Sequence, residues 1–515
     1  MKLKQLEKLK NFLNKVAHIS GTRAFGIFVL IFYGVESVWI AFSAQYPQAF
    51  DENYHFGLIK VYSHYWLPFF AQQPPNANAF GAVAADTSYF YHYLMSFPYR
   101  FIVLFIHNQP GQVISLRLID VVLMGVALVL FRKVLIRVGI SRSLANISLL
   151  LFILIPIVPQ LAAQVSYDDL FIPMTAWACL KCFDVIDDLR AQKPSAKRLL
   201  TFLIVCFFAS IVKFAFLPIF VAMVLFLIYF IYKNYKDKLS ELARLYWKDY
   251  LKLKRPTKYL LCGLLIISVG LVFQRDGLDL IKYHSVEPDC SKVLSVKQCS
   301  TYSPWDYNYI NHNNVASGKY VANDSVLLYT NNWLYRMWYR LFFAVNGITQ
   351  TTSFANYPPL PLPAIAAAVV GLFGVAALIK TRKRVFSGNP YIVVLLMISL
   401  IYCLTLFAQG YSTYKYTSIL ENMNGRYLLP ILLPVAAVIG LAISKLLGGA
   451  KWSKAALSLV VVLMFLEGGG VISFIVRSDS NWYWDNSTVI KLNKTAHKIV
   501  KHVVVTKPSI SQRQT

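Results

Sequence analysis

Asp51-Glu52-Asn53-Tyr54-His55 places two carboxylates and an imidazole close together, just after Pro47 and the first long apolar run. Side chains of this kind take a proton from an alcohol or hold a cation. A second acidic cluster stands in the turn Ser166-Tyr167-Asp168-Asp169, and three bases, Arg117, Lys213 and Arg426, sit singly near the ends of apolar runs. An arginine offers phosphate oxygens a planar fork and a lysine offers them a point charge. The acids therefore suit activation of a hydroxyl and the bases suit a lipid phosphate. Two plainer readings stand beside this one: Asp51 or Glu52 merely caps a helix, and the three bases are rim anchors whose long stems reach out to the headgroups.

If the stretch from Asp51 is helical, Asp51 and His55 project from one face about one turn apart. The spacing of Tyr54, Leu58, Val61, Tyr65 and Phe69, with Asn53, Gly57, Lys60 and His64 opposite and Pro68 at the end, predicts an amphipathic helix lying flat on a membrane surface. Around it the chain reads as an all-α membrane protein. Apolar runs long enough, or nearly so, to cross the hydrocarbon fall at 24–44, 114–131, 144–163, 170–187, 199–214, 216–232, 259–274, 361–380, 391–408, 427–445 and 455–475, about 11 spans in all. The runs 89–107 and 331–345 are broken or short and read as interfacial helices. The division expected is an N-terminal transmembrane module over 1–275, an outer loop over 276–360, C-terminal membrane helices over 361–475 and a tail over 476–515.

Composition supports that class. Of 515 residues 57% are hydrophobic and only 15% charged, with a mean hydropathy of +0.50, more apolar than a water-soluble domain of this length needs. The net charge of +27 does not imply a nucleic-acid partner, because the bases gather between spans, at 132–142, 233–258 and 380–384, as inner-surface anchors do. That distribution puts the N-terminus in the cytoplasm, and Asp51, Asp168, Lys213, Arg426 and Arg117 together on the outer face. The odd number of spans puts the basic tail outside as well, against the same rule. Cys179, Cys182, Cys206, Cys262 and Cys403 lie in apolar runs and read as small buried hydrophobes, whereas Cys290 and Cys299 stand in the outer loop and are expected to pair. Gly468-Gly469-Gly470 reads as close helix packing, and Asn323-Asp324-Ser325 is a glycosylation sequon.

The order and spacing of these motifs resemble the glycosyltransferase C superfamily, and in particular a bacterial branch of multi-spanning membrane proteins within it. The residues that carry the resemblance are Pro47 with Asp51-Glu52-Asn53-Tyr54-His55, then Ser166-Tyr167-Asp168, Lys213 before an aromatic-Pro stretch, and Gly425-Arg426-Tyr427-Leu428-Leu429-Pro430. The resemblance implies a polyprenyl-phosphate-sugar donor and an extracytoplasmic acceptor. It also implies Asp51 as the catalytic acid/base with Glu52 beside it, Asp168 assisting, Lys213 and Arg426 on the donor phosphate, and His55, Asp169, Tyr427 and Arg117 among the substrate-binding residues. Ser166 stands where relatives commonly carry Asn, Asp169 doubles the acid, and the tail is too short for the soluble C-terminal domain of many relatives. Some relatives use a divalent cation, Mg or Mn, and others none. A rival class is a transporter or flippase of lipid-linked glycans, which commonly shows internal repeats; no repeat is visible in this sequence.

Overall fold

The computed structural model describes residues 2–321, 324–342, 361–421, 423–478 and 480–503. Asn323 of the sequon, the stretch 343–360 of the expected outer loop and the tail end 504–515 lie outside the described residues. The described residues are predominantly helical and contain no strand beyond an isolated bridge between Ala44 and Tyr483.

An N-terminal helix α1 (Lys2–Ser20) is followed by α2 (Arg23–Ser43), which starts where the Thr22 hydroxyl accepts from the Phe25 amide at 3.1 Å. Two helices, α3 (Glu52–Ser63) and α4 (Phe90–Phe105), occupy the connection to the long α5 (Gln109–Arg137). Then come α6 (Arg142–Ile153), α7 (Ile157–Ala162), α8 (Asp168–Arg190), α9 (Ala196–Val212), α10 (Leu217–Tyr235), α11 (Leu239–Lys252), α12 (Arg255–Val272) and α13 (Leu278–Tyr283). The following loop folds as short helices α14 (Cys290–Val293), α15 (Val296–Cys299) and α16 (Ser303–Ala316), then α17 (Val326–Phe342). The chain closes with α18 (Pro361–Phe386), α19 (Pro390–Thr417), α20 (Leu429–Leu446), α21 (Lys451–Leu466), α22 (Val471–Arg477) and α23 (Ser487–Val503).

Eight described helices are long and apolar enough to cross a membrane: α2, α5, α10, α12, α18, α19, α20 and α21, four of them with short extensions. Their large apolar side chains face outward, as Ile31, Val122, Ile266 and Leu372 do, an arrangement that only hydrocarbon solvates cheaply. The molecule is an all-α, multi-pass membrane protein. Among the described residues eight helices meet this criterion, against the about eleven spans expected. The run 144–163 breaks at Pro156 into α6 and α7, α8 carries charges at both ends, and α9 has only 17 residues.

The helix expected over Asp51 to Pro68 is shorter and ends at Ser63; Asn53 and Lys60 on its expected polar side are exposed, while Leu58, Ile59 and Tyr62 are buried in the protein. Gly57, expected on its polar side, is buried so closely against Phe80 that an added Cβ would stand 2.2 Å from the ring. The glycine run behaves as read: a Cβ on Gly469 would meet the Leu154 carbonyl oxygen at 2.4 Å, and one on Gly470 would meet Glu36 Oε1 at 2.2 Å. Cys290 and Cys299 form the expected disulfide, and Cys179 and Cys182 are buried and free.

Candidate functional site

The molecule has two polar ends, and the helix directions sort the residues between them. Helices α8 and α20 start, and α9 finishes, at one end, where Asp168, Arg426 and Lys213 lie. The opposite end holds Arg137, which pairs with Asp184 at 3.1 Å and also with Asp187, and Asn389, which donates to the Val138 carbonyl at 2.9 Å.

What brings Asp51 to the first end is a buried ion pair. Glu52 accepts four hydrogen bonds: from Arg117 Nε and Nη2, both at 2.7 Å, from the Gln48 amide at 2.7 Å and from the Val165 amide at 3.1 Å. Arg117 also donates to the carbonyls of Ala41 and Ala44. Neither side chain is exposed. The pair staples the end of α2, the start of α3, the flank of α5 and the turn before α8 to one point. Glu52 and Arg117 were expected at the chemistry and the membrane rim; every oxygen of the one and the whole fork of the other are used in holding the backbone.

Asp51 precedes α3 in left-handed backbone, φ 70°, directly after Phe50 at φ 67°. Two successive non-glycine residues in that region store strain, which the surrounding contacts must hold. Arg426 holds them: its Nη1 donates to the Phe50 carbonyl at 2.9 Å and its Nη2 to Asp51 Oδ2 at 2.7 Å. Asp51 makes no side-chain cap to its helix, which removes the capping reading for that residue. The pair is asymmetric, with the arginine side chain 6% exposed and the carboxylate 57% exposed.

Lys213 and Asp168 form the second pair, both almost wholly buried, and Asp168 Oδ2 has no hydrogen-bond partner. Lys213 caps α9 in extended backbone, and its ammonium stands 4.2 Å from the Tyr167 ring and 5.4 Å from that of Tyr427. Arg426 lies 5.1 Å from the same Tyr427 ring, so the two cations share an aromatic wall. His55 packs edge-on to Tyr167 at 4.5 Å and is bonded through Nδ1 to His92 Nε2 at 2.9 Å. Burial pushes His92 down to about 3 and holds His55 well below the usual imidazole range, with His92, Arg426 and Lys213 adding to the effect on His55. Both rings are neutral at physiological pH.

Six of the nine residues expected at a site thus converge: Asp51, His55, Asp168, Lys213, Arg426 and Tyr427. Asp169 does not join them. It is fully buried, neither of its oxygens has a hydrogen-bond partner, and it faces Asp120, which accepts from Tyr91 at 2.8 Å. His92 and Asp120 were not singled out from sequence, and Tyr167 was named only as a member of its turn. Asp120 carries the detectable signal, an acid within an apolar run; His92 is lost among 9 His in a chain rich in aromatic residues. The donor set does not fit a divalent cation, since Asp51 and Asp168 each face a buried cation. Among the described residues no group of three or more His, Cys, Asp or Glu is arranged to hold a metal.

No protein-family model matches the sequence, and no curated protein matches it. Two chains among solved structures match, one being the crystal structure of the Archaeoglobus fulgidus oligosaccharyltransferase tethered with an acceptor peptide containing the NVT sequon. Sequence identity is 12% and the TM-score 0.40, over 90% of this chain and 56% of that one. This chain therefore spans little more than half the length of that protein.

Proposed function

We propose that this protein is an integral membrane glycosyltransferase that passes a sugar from a polyprenyl-phosphate-linked donor to an acceptor hydroxyl, with its N-terminus cytoplasmic and its site extracytoplasmic. The observation that carries the proposal is the adjacency of two ion pairs, Asp51 with Arg426 and Asp168 with Lys213, on the shared Tyr167 and Tyr427 wall. Each pair couples a proton acceptor to a phosphate-binding cation. The carboxylates hold the two cations. A donor phosphate engages both cations and competes with Asp51 for the Arg426 guanidinium, which releases the Asp51 carboxylate to act as the base.

In the reaction the acceptor O–H gives its proton to Asp51, and the oxygen forms the new bond to the anomeric carbon. The bond from that carbon to the phosphate oxygen breaks, and its electron pair leaves on the phosphate, where Arg426 and Lys213 balance the charge. Asp168 assists by positioning Lys213, and His55 and Tyr427 line the sugar. Glu52 and Arg117 act through the backbone that they staple. No step is routed through a metal.

The exposed carboxylate of Asp51 makes the test clean. Asn tolerates left-handed backbone, so Asp51→Asn keeps the shape and removes the proton acceptor. In liposomes supplied with a panel of polyprenyl-phosphate sugars and acceptors, transfer falls by about 10²–10⁴-fold, while donor binding survives. Unchanged turnover removes Asp51 from catalysis. Movement of intact lipid-linked glycan by the unaltered protein, with no new glycosidic bond, makes it a transporter instead.

A further inference from the structure

The end of the molecule opposite the ion pairs carries a concavity of about 620 Å³ between the C-terminal ends of α18 and α20. Lys380, Arg382, Lys383, Arg384 and Lys445 line it, together with Thr381. We propose that it binds the headgroup of an anionic phospholipid of the surrounding bilayer, its phosphate oxygens held by those five cations and its acyl chains lying along α18.

Three observations carry this. The first is charge without compensation: α18, α19 and α20 contain no Asp or Glu, and none of the five cations makes an ion pair among the described residues. Gathering like charges around one hollow costs energy that an anion in the hollow returns. The second is that packing forces the gathering. Gly374 lets α18 approach α20 so closely that an added Cβ would stand 2.2 Å from Ile439, and this brings Lys445 beside 380–384. The buried Thr381 donates its hydroxyl to the Ala377 carbonyl at 2.7 Å, which fixes the turn that presents its neighbours.

The third is the apolar approach. Val369, Leu372, Val375 and Ile379 are exposed by 58%, 74%, 51% and 66% and recur at helical spacing, so they form one outward stripe on α18. The stripe ends one residue before Lys380. A lipid standing against it has its chains on apolar surface and its phosphate at the level of the cations, the arrangement expected of basic pockets between membrane helices. A lipid with two phosphates engages more of the five than a lipid with one, so cardiolipin is held more tightly than phosphatidylglycerol, and phosphatidylcholine is not held.

The test uses the full-length protein in detergent and counts lipids retained in intact-mass spectra as each of the three is titrated. Wild type retains one cardiolipin at low occupancy. The triple variant Lys380→Gln, Arg384→Gln, Lys445→Gln weakens that binding about 100-fold, at roughly a factor of five for each lost charge near a lipid surface. The control triple variant Lys236→Gln, Lys248→Gln, Lys252→Gln, in the equally basic segment around α11, retains it. All six positions are exposed, and melting curves without added lipid check that both variants are folded. Equal retention by wild type and the first variant overturns the proposal. Equal loss in both variants also overturns it, because the attraction is then that of a generally basic surface. Displacement of the lipid by millimolar inorganic phosphate overturns the assignment to a lipid and leaves a site for a free anion.

Discussion

Arg426 is the residue on which the candidate site turns, because it holds strained backbone and an exposed carboxylate at once. Its bidentate geometry is what a lysine lacks. Arg426→Lys keeps the charge but loses the second hydrogen bond, so it weakens binding of a polyprenyl phosphate by about 10-fold, and Arg426→Ala by more, as expected of charge-assisted bonds. Equal affinity in all three proteins, measured on the purified chain with a labelled donor, assigns Arg426 to backbone support alone. The contrast with Arg117 is instructive. Both stand close to an aspartate or glutamate near the end of an apolar run, yet Arg117 pairs with a carboxylate that is 0% exposed and Arg426 with one that is 57% exposed. Nothing in the local sequence of either arginine encodes that difference; it is decided by which partner the rest of the chain leaves in contact with solvent.

The elements that deliver these residues are short and depend on close contact. Arg426 rides on a single 3₁₀ turn, Gly425–Leu428, pressed against α17. A Cβ on Gly425 would stand 2.6 Å from the Leu341 amide nitrogen and 2.8 Å from the Met337 carbonyl oxygen, both backbone atoms that have no way to turn aside. Gly425→Ala therefore displaces the turn, and transfer activity falls at least as far as in Arg426→Lys while the helical circular dichroism is kept. Full activity in that variant breaks the link between α17 and the site. Helices α3 and α4 meet through His55 and His92, which supply a pH dependence of their own. Both folded-state values lie below that of a free imidazole, so below about pH 6.5 the unfolded chain binds more protons than the folded one. The contribution of this pair to stability is complete above that pH and is lost as pH falls toward about 3. The part of the melting temperature that this pair supplies is thus constant above pH 7 and falls between pH 6.5 and 5, and His92→Gln flattens that fall. An unchanged slope in His92→Gln assigns the acid sensitivity elsewhere.

At the scale of the whole molecule, the proposal requires Asp51, Asp168 and Arg426 to face one aqueous compartment. Single cysteines placed beside each of them, after removal of the native free thiols, should all react with an impermeant reagent from outside the cell. Labelling of any one only after permeabilisation breaks the shared extracytoplasmic site. The sequence by itself determined that this is an all-α membrane chain, where its apolar runs lie, that Cys290 and Cys299 pair and that Gly469 and Gly470 pack tightly. Each of those follows from local composition, spacing or the volume of a side chain. It also singled out acids and bases that the structure brings together, since an ion near a lipid-facing helix end is conspicuous. Only the tertiary structure decided the roles within that set. Glu52 and Asp51 are adjacent in the chain, but a left-handed residue turns one carboxylate to the exposed pair and the helix turns the other into the buried staple. Asp168 and Asp169 part in the same way, about 100° apart around α8, one toward Lys213 and the other toward Asp120. Burial is a property of what packs around a side chain, and the partners that fix it here lie from 45 to 375 residues away.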